Sequence, residues 1–170
     1  MYKIAITGPE SSGKTTLAKE LADHFSCPWV PEYAREYLTK KKGIYTSSDL
    51  LEIMKGQLEH ENKLAEEHPT LLLCDTDPLV IWVWSKAKFS SVDNKIERAF
   101  KTRHYDLHLL VYPDIDWEED PLRENRYDRM DLFNVYLDQL KGLNKSFIII
   151  KGDQEERNKK AIQAIDDLRK

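Results

Sequence analysis

The nine residues GPESSGKTT, from Gly8 to Thr16, constrain the fold more than any other stretch of this 170-residue chain. They match the pattern G-x-x-x-x-G-K-T, a loop that turns its backbone N–H groups inward around a phosphate. A glycine at each end permits the backbone angles and the close approach that such a loop needs. In this pattern the ammonium of Lys14 reaches the β- and γ-phosphates, and the hydroxyl of Thr15 ligates Mg²⁺. The loop therefore predicts binding of a nucleoside triphosphate.

The sequence on either side of this loop has the pattern that a phosphate-binding loop requires. The apolar run YKIAIT, residues 2–7, predicts a strand before it. A helix is predicted after it, because apolar residues recur there at helical spacing: Leu17, Ala18, Leu21, Ala22 and Phe25. The N-terminus of that helix adds its partial positive charge to the anion site.

Length and composition are typical of a single soluble globular domain, which we expect to span residues 1–170. Apolar residues make up 41% of the chain, and the net charge of −4 gives no support for a nucleic-acid partner. No apolar stretch is long enough to span a membrane, and Met1 leads directly into the first strand. We therefore expect a cytoplasmic protein without membrane contact. Cys27 and Cys74 adjoin apolar strands, and we interpret them as small buried residues.

Apolar runs that suit buried parallel strands alternate with segments of helical periodicity. Strands are predicted at residues 3–7, 70–74, 107–112 and 147–150, with a weaker one at 27–30. Later helices are predicted at residues 49–65, 78–88, 127–141 and 154–168. This alternation predicts an α/β fold with a parallel sheet between helices. Ligands of such folds bind at the carboxyl ends of the strands, so the residues after each strand are candidate site residues.

Carboxylates follow the second and third predicted strands. Glu32 is placed to accept a proton or hold a substrate hydroxyl and Arg35 to bind a phosphate, or the two form a salt bridge at a helix N-terminus. Asp75 is similar to the carboxylate that usually reaches Mg²⁺ through water, and Asp77 is a candidate to bind a sugar hydroxyl or act as a base. Both aspartates also suit helix capping, since they precede Pro78. We expect at least one aspartate to act in function.

Three arginines follow the fourth strand at a spacing of three, which would put them on one face of a helix: Arg123, Arg126 and Arg129. We expect a lid at about residues 114–129 that stabilises a transferring phosphoryl group, or alternatively a solvated face paired with acidic neighbours. Trp117 either stacks on a planar ring or anchors this lid.

The residues at the start of the fifth strand and after the third strand distinguish an enzyme from a switch or a motor. Asn144-Lys145-Ser146-Phe147 lacks the aspartate of a guanine-reading N-K-x-D motif. Thr76 follows Asp75, where a motor-type ATPase usually has glutamate. These features favour a small-molecule kinase. Asp153, after the fifth strand, either borders the adenine or caps the last helix.

Four segments occur in the order GPESSGKTTL, PEYAREY, CDTD and PDIDWEEDPLR, and together they resemble the NadR-type ribosylnicotinamide kinase domain. The resemblance covers nearly the whole chain and implies a three-layer α/β/α P-loop fold with a five-stranded parallel sheet and an arginine-bearing lid. It implies MgATP as donor and the 5′-hydroxyl of nicotinamide riboside as acceptor, giving nicotinamide mononucleotide in NAD salvage. The alternatives are a P-loop kinase of another nucleoside or nucleotide, and a nucleotide-dependent regulatory module.

The resemblance also implies roles for the matching residues. ATP would be bound by Gly8, Glu10, Ser11, Ser12, Gly13, Lys14, Thr15, Thr16 and Asp153, and Mg²⁺ by Thr15 and Asp75. The riboside would be bound by Glu32, Tyr33, Arg35, Asp75, Asp77 and Trp117. Asp75 or Glu32 would orient or deprotonate the 5′-hydroxyl, and charge would be stabilised by Lys14, Arg123 and Arg126. The chain has no H-x-G-H motif, so we expect neither a nucleotidyltransferase activity nor a DNA-binding function.

Overall fold

A fully parallel five-stranded sheet forms the centre of the computed structural model, which describes residues 1–124 and 126–170. The strand order is β2-β3-β1-β4-β5. The strands are β1 (Tyr2–Thr7), β2 (Trp29–Val30), β3 (Leu71–Asp75), β4 (Leu107–Val111) and β5 (Phe147–Ile150). The helices are α1 (Lys14–Phe25), α2 (Tyr33–Lys40), α3 (Ser47–Ala65), α4 (Pro78–Phe89), α5 (Asn94–Thr102), α6 (Arg129–Gly142) and α7 (Gln154–Leu168). The predicted α/β fold with a five-stranded parallel sheet is confirmed.

Alternate residues of the central strands face opposite layers of helices, as the period of a strand requires. Ile4 and Ile6 of β1 pack in one apolar cluster with residues of α1 and α7. Ala5 of β1 and Leu72 of β3 lie in a second cluster on the other face. Every residue of β3 and β4 is buried, which explains why these strands are continuous apolar runs rather than alternating ones.

The parallel register brings the carboxyl ends of the central strands to one edge of the sheet. Ile6 of β1 pairs with Asp75 of β3, and Thr7 pairs with Leu110 of β4. The phosphate-binding loop follows β1 at this same edge. The fold therefore gathers the candidate site residues that follow each strand.

Helices α2 and α5 were not predicted as separate elements from the sequence. Each is short, and each buries only two apolar side chains four residues apart, Ile96 and Phe100 in the case of α5. Such a pattern is too brief to distinguish from a charged loop.

The prediction that three lid arginines share a helical face is wrong. α6 begins at Arg129, and both Arg123 and Arg126 precede it in non-helical backbone. The segment before α6 has few apolar residues with which to bury a helical face, so a helix there would gain little from packing.

Two further sequence expectations concern the cysteines and the membrane. Cys27 and Cys74 are both free thiols. Cys74 is buried in β3 as expected, whereas Cys27, which follows the end of α1, is only partly buried. None of the helices in the described part of the chain is long and apolar enough to cross a membrane.

Candidate active site

The loop from Gly8 to Gly13 is held against the end of β4 and opens into α1. A Cβ atom on Gly8 would lie 2.8 Å from the carbonyl oxygen of Val111, and its φ of +137° suits glycine alone. Gly13 has a φ of +88° and precedes the first residue of α1, Lys14. Both glycines of the motif are therefore required by the backbone, and the N-terminus of α1 faces the loop.

The ammonium of Lys14 folds back over the loop. It donates hydrogen bonds to the carbonyl oxygens of Gly8 at 3.0 Å and Pro9 at 2.8 Å. The hydroxyl of Ser12 also donates to the Pro9 carbonyl, at 2.6 Å. These bonds occupy the loop carbonyls, and they place a positive charge at the mouth of an anion-binding concavity.

Asp75 ends β3 beside this loop. Its Oδ2 accepts a hydrogen bond of 2.6 Å from the hydroxyl of Thr15. Its Oδ1 is buried without a hydrogen-bond partner among residues 1–124 and 126–170. Burial, and then the charge of Glu32, raises the pKa of the Asp75 carboxyl to about 6. An unpartnered carboxylate oxygen next to a hydroxyl is the donor set that Mg²⁺ prefers.

Gln57 of α3 connects the backbone next to Glu32 with the backbone of Asp75, and no sequence motif predicted this role. Its side-chain oxygen accepts from the backbone N–H of Tyr33 at 2.7 Å, directly after Glu32. Its amide nitrogen donates to the carbonyl oxygen of Asp75 at 3.4 Å. Gln57 is 2% exposed, so the start of α2 and the end of β3 are joined inside the protein.

A single cavity extends from the phosphate-binding loop to an apolar wall. At one end it is lined by residues 9–16, and Glu32 and Arg35 lie along its side. The apolar wall comes from several helices and the lid: Ala34, Leu38, Val80, Val83, Trp84, Ala87, Leu122, Leu132 and Tyr136. The phosphate-binding loop and the apolar wall thus line the same cavity.

Trp84 is one of two aromatic residues in this wall, with Tyr136. Its indole N–H donates to the hydroxyl of Tyr45 at 2.9 Å, and the two rings meet edge to face. The Tyr45 hydroxyl in turn donates to the carboxylate of Glu124 in the lid segment, at 2.9 Å. Sequence alone favoured a core position for Trp84, because its neighbours are apolar and no motif marks its contact with a cavity.

The lid segment lies across the phosphate-binding loop. The backbone N–H of Glu118 donates to the hydroxyl of Ser11 at 3.0 Å, and the backbone N–H of Glu124 donates to the carboxylate of Glu10 at 3.0 Å. Arg123 donates to the Ser11 hydroxyl at 3.3 Å and to the Glu118 carbonyl at 2.6 Å. Arg123 therefore lies at the mouth of the loop, as the lid hypothesis requires.

The other lid and cleft arginines are held by different partners. Arg126 pairs with Glu119 at 2.6 Å on the surface, which matches the solvated alternative for that residue. Arg35 pairs with Asp120 of the lid at 2.9 Å. Arg129 donates to the carbonyl oxygens of Ser11 at 2.9 Å and Ile115 at 3.0 Å, so it binds the loop backbone.

The structure places Asp77 in the interior, away from the cavity. Its Oδ1 accepts from the Thr7 hydroxyl at 2.8 Å and caps α4 through the backbone N–H of Val80. Its Oδ2 lies 3.6 Å from Nε2 of His108, and both side chains are almost fully buried. Burial raises the pKa of Asp77 and lowers that of His108. The capping alternative describes this residue better than contact with a sugar hydroxyl.

Six more predicted site residues lie outside the cavity lining: Gly8, Asp75 and Arg126, whose contacts are given above, and Tyr33, Trp117 and Asp153. The Tyr33 ring contacts His60 edge to face and fills the space beside Gly56, where a Cβ atom would lie 2.1 Å from the ring. The guanidinium carbon of Arg129 lies 5.7 Å from the centroid of the Trp117 ring. This contact matches the alternative in which Trp117 anchors the lid. Asp153 caps α7 by accepting from the backbone N–H of Glu156 at 2.9 Å.

Comparison with known proteins places this geometry among P-loop proteins. A family model described as an AAA domain matches residues 3–157. The trifunctional NAD biosynthesis/regulator protein NadR of Salmonella typhimurium is 26% identical over 173 residues, covering 97% of this chain and 42% of its own length. The chain thus spans less than half the length of that curated relative.

Two solved structures of NadR share the fold. One, a complex with NAD and AMP-PNP, superposes with a TM-score of 0.83 at 23% identity over 98% of this chain and 49% of its own. Another, a complex with NR, has a TM-score of 0.82 at 22% identity over 98% of this chain and 50% of its own. The predicted resemblance to NadR is confirmed.

Proposed function

This chain belongs to the AAA domain family, and from that premise we propose that it is an ATP-dependent kinase of the 5′-hydroxyl of nicotinamide riboside. The product is nicotinamide mononucleotide, and the reaction is a step of NAD salvage. The observation that carries the proposal is the single cavity that joins the phosphate-binding loop to an apolar wall, with Glu32 along its side and Asp75 beside the loop at Thr15. Donor and acceptor thus share one space, as in-line transfer requires.

The similarity to NadR supports this choice of substrates. Solved NadR structures hold AMP-PNP, an analogue of ATP, in one case and NR, nicotinamide riboside, in another. The shared fold supports a similar arrangement of both ligands here, with the triphosphate on residues 8–16 and the riboside against the apolar wall.

The charges of the cavity favour a cationic nucleoside acceptor. Nicotinamide riboside carries a positive pyridinium ring, and the cavity lining includes four glutamates: Glu10, Glu32, Glu118 and Glu124. Glu118 pairs with Arg123 and Glu124 with Lys88, and Glu32 lies along the side of the cavity. A nucleotide acceptor would need a cation for its own phosphate, yet Arg35 is paired with Asp120. Trp84 and Tyr136 offer aromatic surface against which a planar ring can pack.

Each residue of the cleft then has a role in transfer. The loop N–H groups and Lys14 bind the β- and γ-phosphates, and Arg123 contributes positive charge from the lid. Asp75 or Glu32 orients the 5′-hydroxyl and accepts its proton. Gln57 keeps these two carboxylates in a fixed relation through its bonds to Tyr33 and Asp75.

A magnesium ion fits the residues at the loop. Thr15 and the unpartnered oxygen of Asp75 would hold it, together with phosphate oxygens of the nucleotide. When bound, the ion neutralises charge on the phosphates. The described residues contain no cluster of three or more His, Cys, Asp or Glu suited to a metal, and a nucleotide-bound Mg²⁺ needs only one or two protein ligands.

The test is an acceptor panel with MgATP and the purified protein, in which ADP release is measured for nicotinamide riboside, uridine, cytidine, thymidine, deoxyadenosine and thymidylate. We expect kcat/KM to be highest for nicotinamide riboside. Preference for another nucleoside would retain the kinase and reject the substrate. Slow ADP release that is independent of every acceptor would reject the kinase.

A further inference from the structure

The guanidinium of Arg157 lies inside the protein and contacts the phosphate-binding loop, although no loop motif includes it. Arg157 belongs to α7, and 1% of its surface is exposed. Its Nη1 donates to the carbonyl oxygen of Ser12 at 2.6 Å. Its Nη2 donates to the carbonyl oxygen of Tyr112 at 2.9 Å, and its Nε donates to that of Gly152 at 2.8 Å. One side chain therefore joins the loop, the end of β4 and the turn after β5.

Asp114 balances the buried charge of Arg157. Its carboxylate pairs with Nη2 of the guanidinium and also accepts from the backbone N–H of Gly152 at 2.7 Å. A buried cation is costly unless it is paired and its donors are bonded, and both conditions hold here. Such an arrangement is rigid, because the planar guanidinium makes bonds in several fixed directions.

The bond to Ser12 determines where the next N–H group points. The carbonyl of Ser12 and the N–H of Gly13 belong to one peptide plane, and in a trans peptide they point in opposite directions. None of the described peptide bonds is cis. Because Arg157 holds the carbonyl toward α7, the N–H of Gly13 points to the other side of the loop.

Gly13 also leaves the space that Arg157 occupies. A Cβ atom at Gly13 would lie 3.2 Å from Nη1 of Arg157. The second glycine of the motif thus serves the guanidinium as well as the loop backbone. Arg129 holds the preceding carbonyl, that of Ser11, from the lid side.

We propose that Arg157 is a positioning residue for the phosphate donor, which fixes the Ser12–Gly13 peptide so that the Gly13 N–H is directed at the nucleotide phosphates before they bind. Donors that are oriented in advance need no reorganisation when the charge arrives. The inference rests on the proposed binding of nucleotide by the loop, and it is independent of which acceptor is phosphorylated.

The test compares two arginines that differ in what they touch: Arg157, which is fully buried, and Arg103, whose side chain is 23% exposed. Arg157→Met removes the guanidinium from the loop. Arg103→Met is the matched control, because Arg103 pairs with buried Glu61 through two bonds and lies before β4, at the opposite edge of the sheet. The dissociation constants of MgATP and of nicotinamide riboside are measured separately by calorimetry, with a thermal melt for each variant.

We expect Arg157→Met to weaken MgATP binding at least about tenfold, the loss typical of one charge-assisted contact, and to leave riboside binding within about twofold. Arg103→Met is expected to lower the melting temperature but leave MgATP binding unchanged. Equal weakening of MgATP binding by both variants would mean that Arg157 acts only through general stability, and would overturn the proposal.

If Arg157→Met does not fold, Arg157→Lys tests the same proposal. Arg157→Lys keeps a positive charge beside Asp114, but a single ammonium cannot reach Ser12, Tyr112 and Gly152 together. A folded Arg157→Lys protein that binds MgATP within twofold of the parent would also overturn the proposal. The MgATP measurement uses no acceptor, so a failed assignment of the riboside is detected separately, as loss of riboside binding and turnover in the parent protein.

Discussion

The hydroxyl of Thr15 donates a 2.6 Å hydrogen bond to Oδ2 of Asp75, which joins the start of α1 to the end of β3. The other oxygen of the same carboxylate is buried and has no partner in the described ranges 1–124 and 126–170. An acceptor that is desolvated and unpaired lowers stability. A carboxylate in this state beside the phosphate-binding loop is a candidate ligand for Mg²⁺.

The pH dependence of activity should follow the ionisation of Asp75. Burial and the charge of Glu32 raise the pKa of this carboxyl to about 6, and only the carboxylate can accept a proton or a cation. We expect kcat/KM for MgATP, which reports the enzyme before the cation binds, to rise with pH and level off above about pH 7, with an apparent pKa near 6. Asp75→Asn should remove the rise along with most activity. A parent profile that is flat from pH 5 to 8 would contradict this role.

The same carboxyl should make the free protein less stable at neutral pH. Its pKa is higher in the folded state, about 6, than the ordinary value of 3.8. The carboxyl therefore contributes most to the free energy of unfolding below about pH 4, where it is protonated, and this contribution is lost as the pH rises through 6. The difference corresponds to roughly 3 kcal/mol. Denaturant unfolding should show Asp75→Asn to be more stable than the parent at pH 7.5, with the gain vanishing near pH 4.

Lys14→Ala should abolish most turnover without unfolding the protein. Within residues 1–124 and 126–170, the ammonium bonds only to carbonyls of the loop itself, so its loss leaves the core unchanged. Removing a cation that stabilises the transferring phosphoryl group costs about a hundredfold to a thousandfold in kcat. Near-normal kcat in a folded variant, measured by a coupled ADP assay, would exclude this residue from the reaction.

Trp84→Ala should raise the KM for the riboside and leave the KM for ATP nearly unchanged. Trp84 lines the apolar end of the cavity, and loss of its ring should raise the riboside KM about tenfold while the KM for ATP changes little. Trp117→Ala is the comparison, because that ring lies against Arg129 instead. A larger riboside effect at Trp117 than at Trp84 would show that the original ring-stacking hypothesis for Trp117 is the better one.

Asp77→Asn should retain activity within a few-fold. The amide keeps an oxygen to accept from the Thr7 hydroxyl and to cap α4. Asp77→Ala should instead destabilise the fold by about 2–4 kcal/mol, because it removes the cap and leaves buried polar groups without a partner. Chemical denaturation and kinetics of both variants check this. Loss of activity in a stable Asp77→Asn protein would reassign Asp77 as a catalytic base.

The parts of the site that come from contiguous residues could be predicted from the sequence. The loop from Gly8 to Thr16 has a fixed spacing, and its context of strand and helix follows from apolar periodicity. The position of Asp75 at the end of a strand was predictable for the same reason. These features depend on local sequence and on the general rule for ligand sites in parallel sheets.

Contacts between distant parts of the chain could not be predicted. Arg157 is 145 residues from Ser12, and its burial depends on how α7 packs beside the loop. Gln57 joins Tyr33 to Asp75 only because α3 lies between them. An apolar neighbourhood in the sequence suggested a core position for Trp84, whereas the fold exposes it to the cavity. Such roles are set by packing, which no spacing rule encodes.

Phosphorus NMR of the purified protein with MgATP and nicotinamide riboside tests the central claim most directly. We expect the γ-phosphate signal to be lost while a phosphomonoester signal coupled to the 5′-methylene protons appears in equal amount, and Lys14→Ala to produce neither change at a comparable rate. Release of inorganic phosphate at the same rate with and without the riboside would contradict the claim that one cavity carries out transfer between the two substrates.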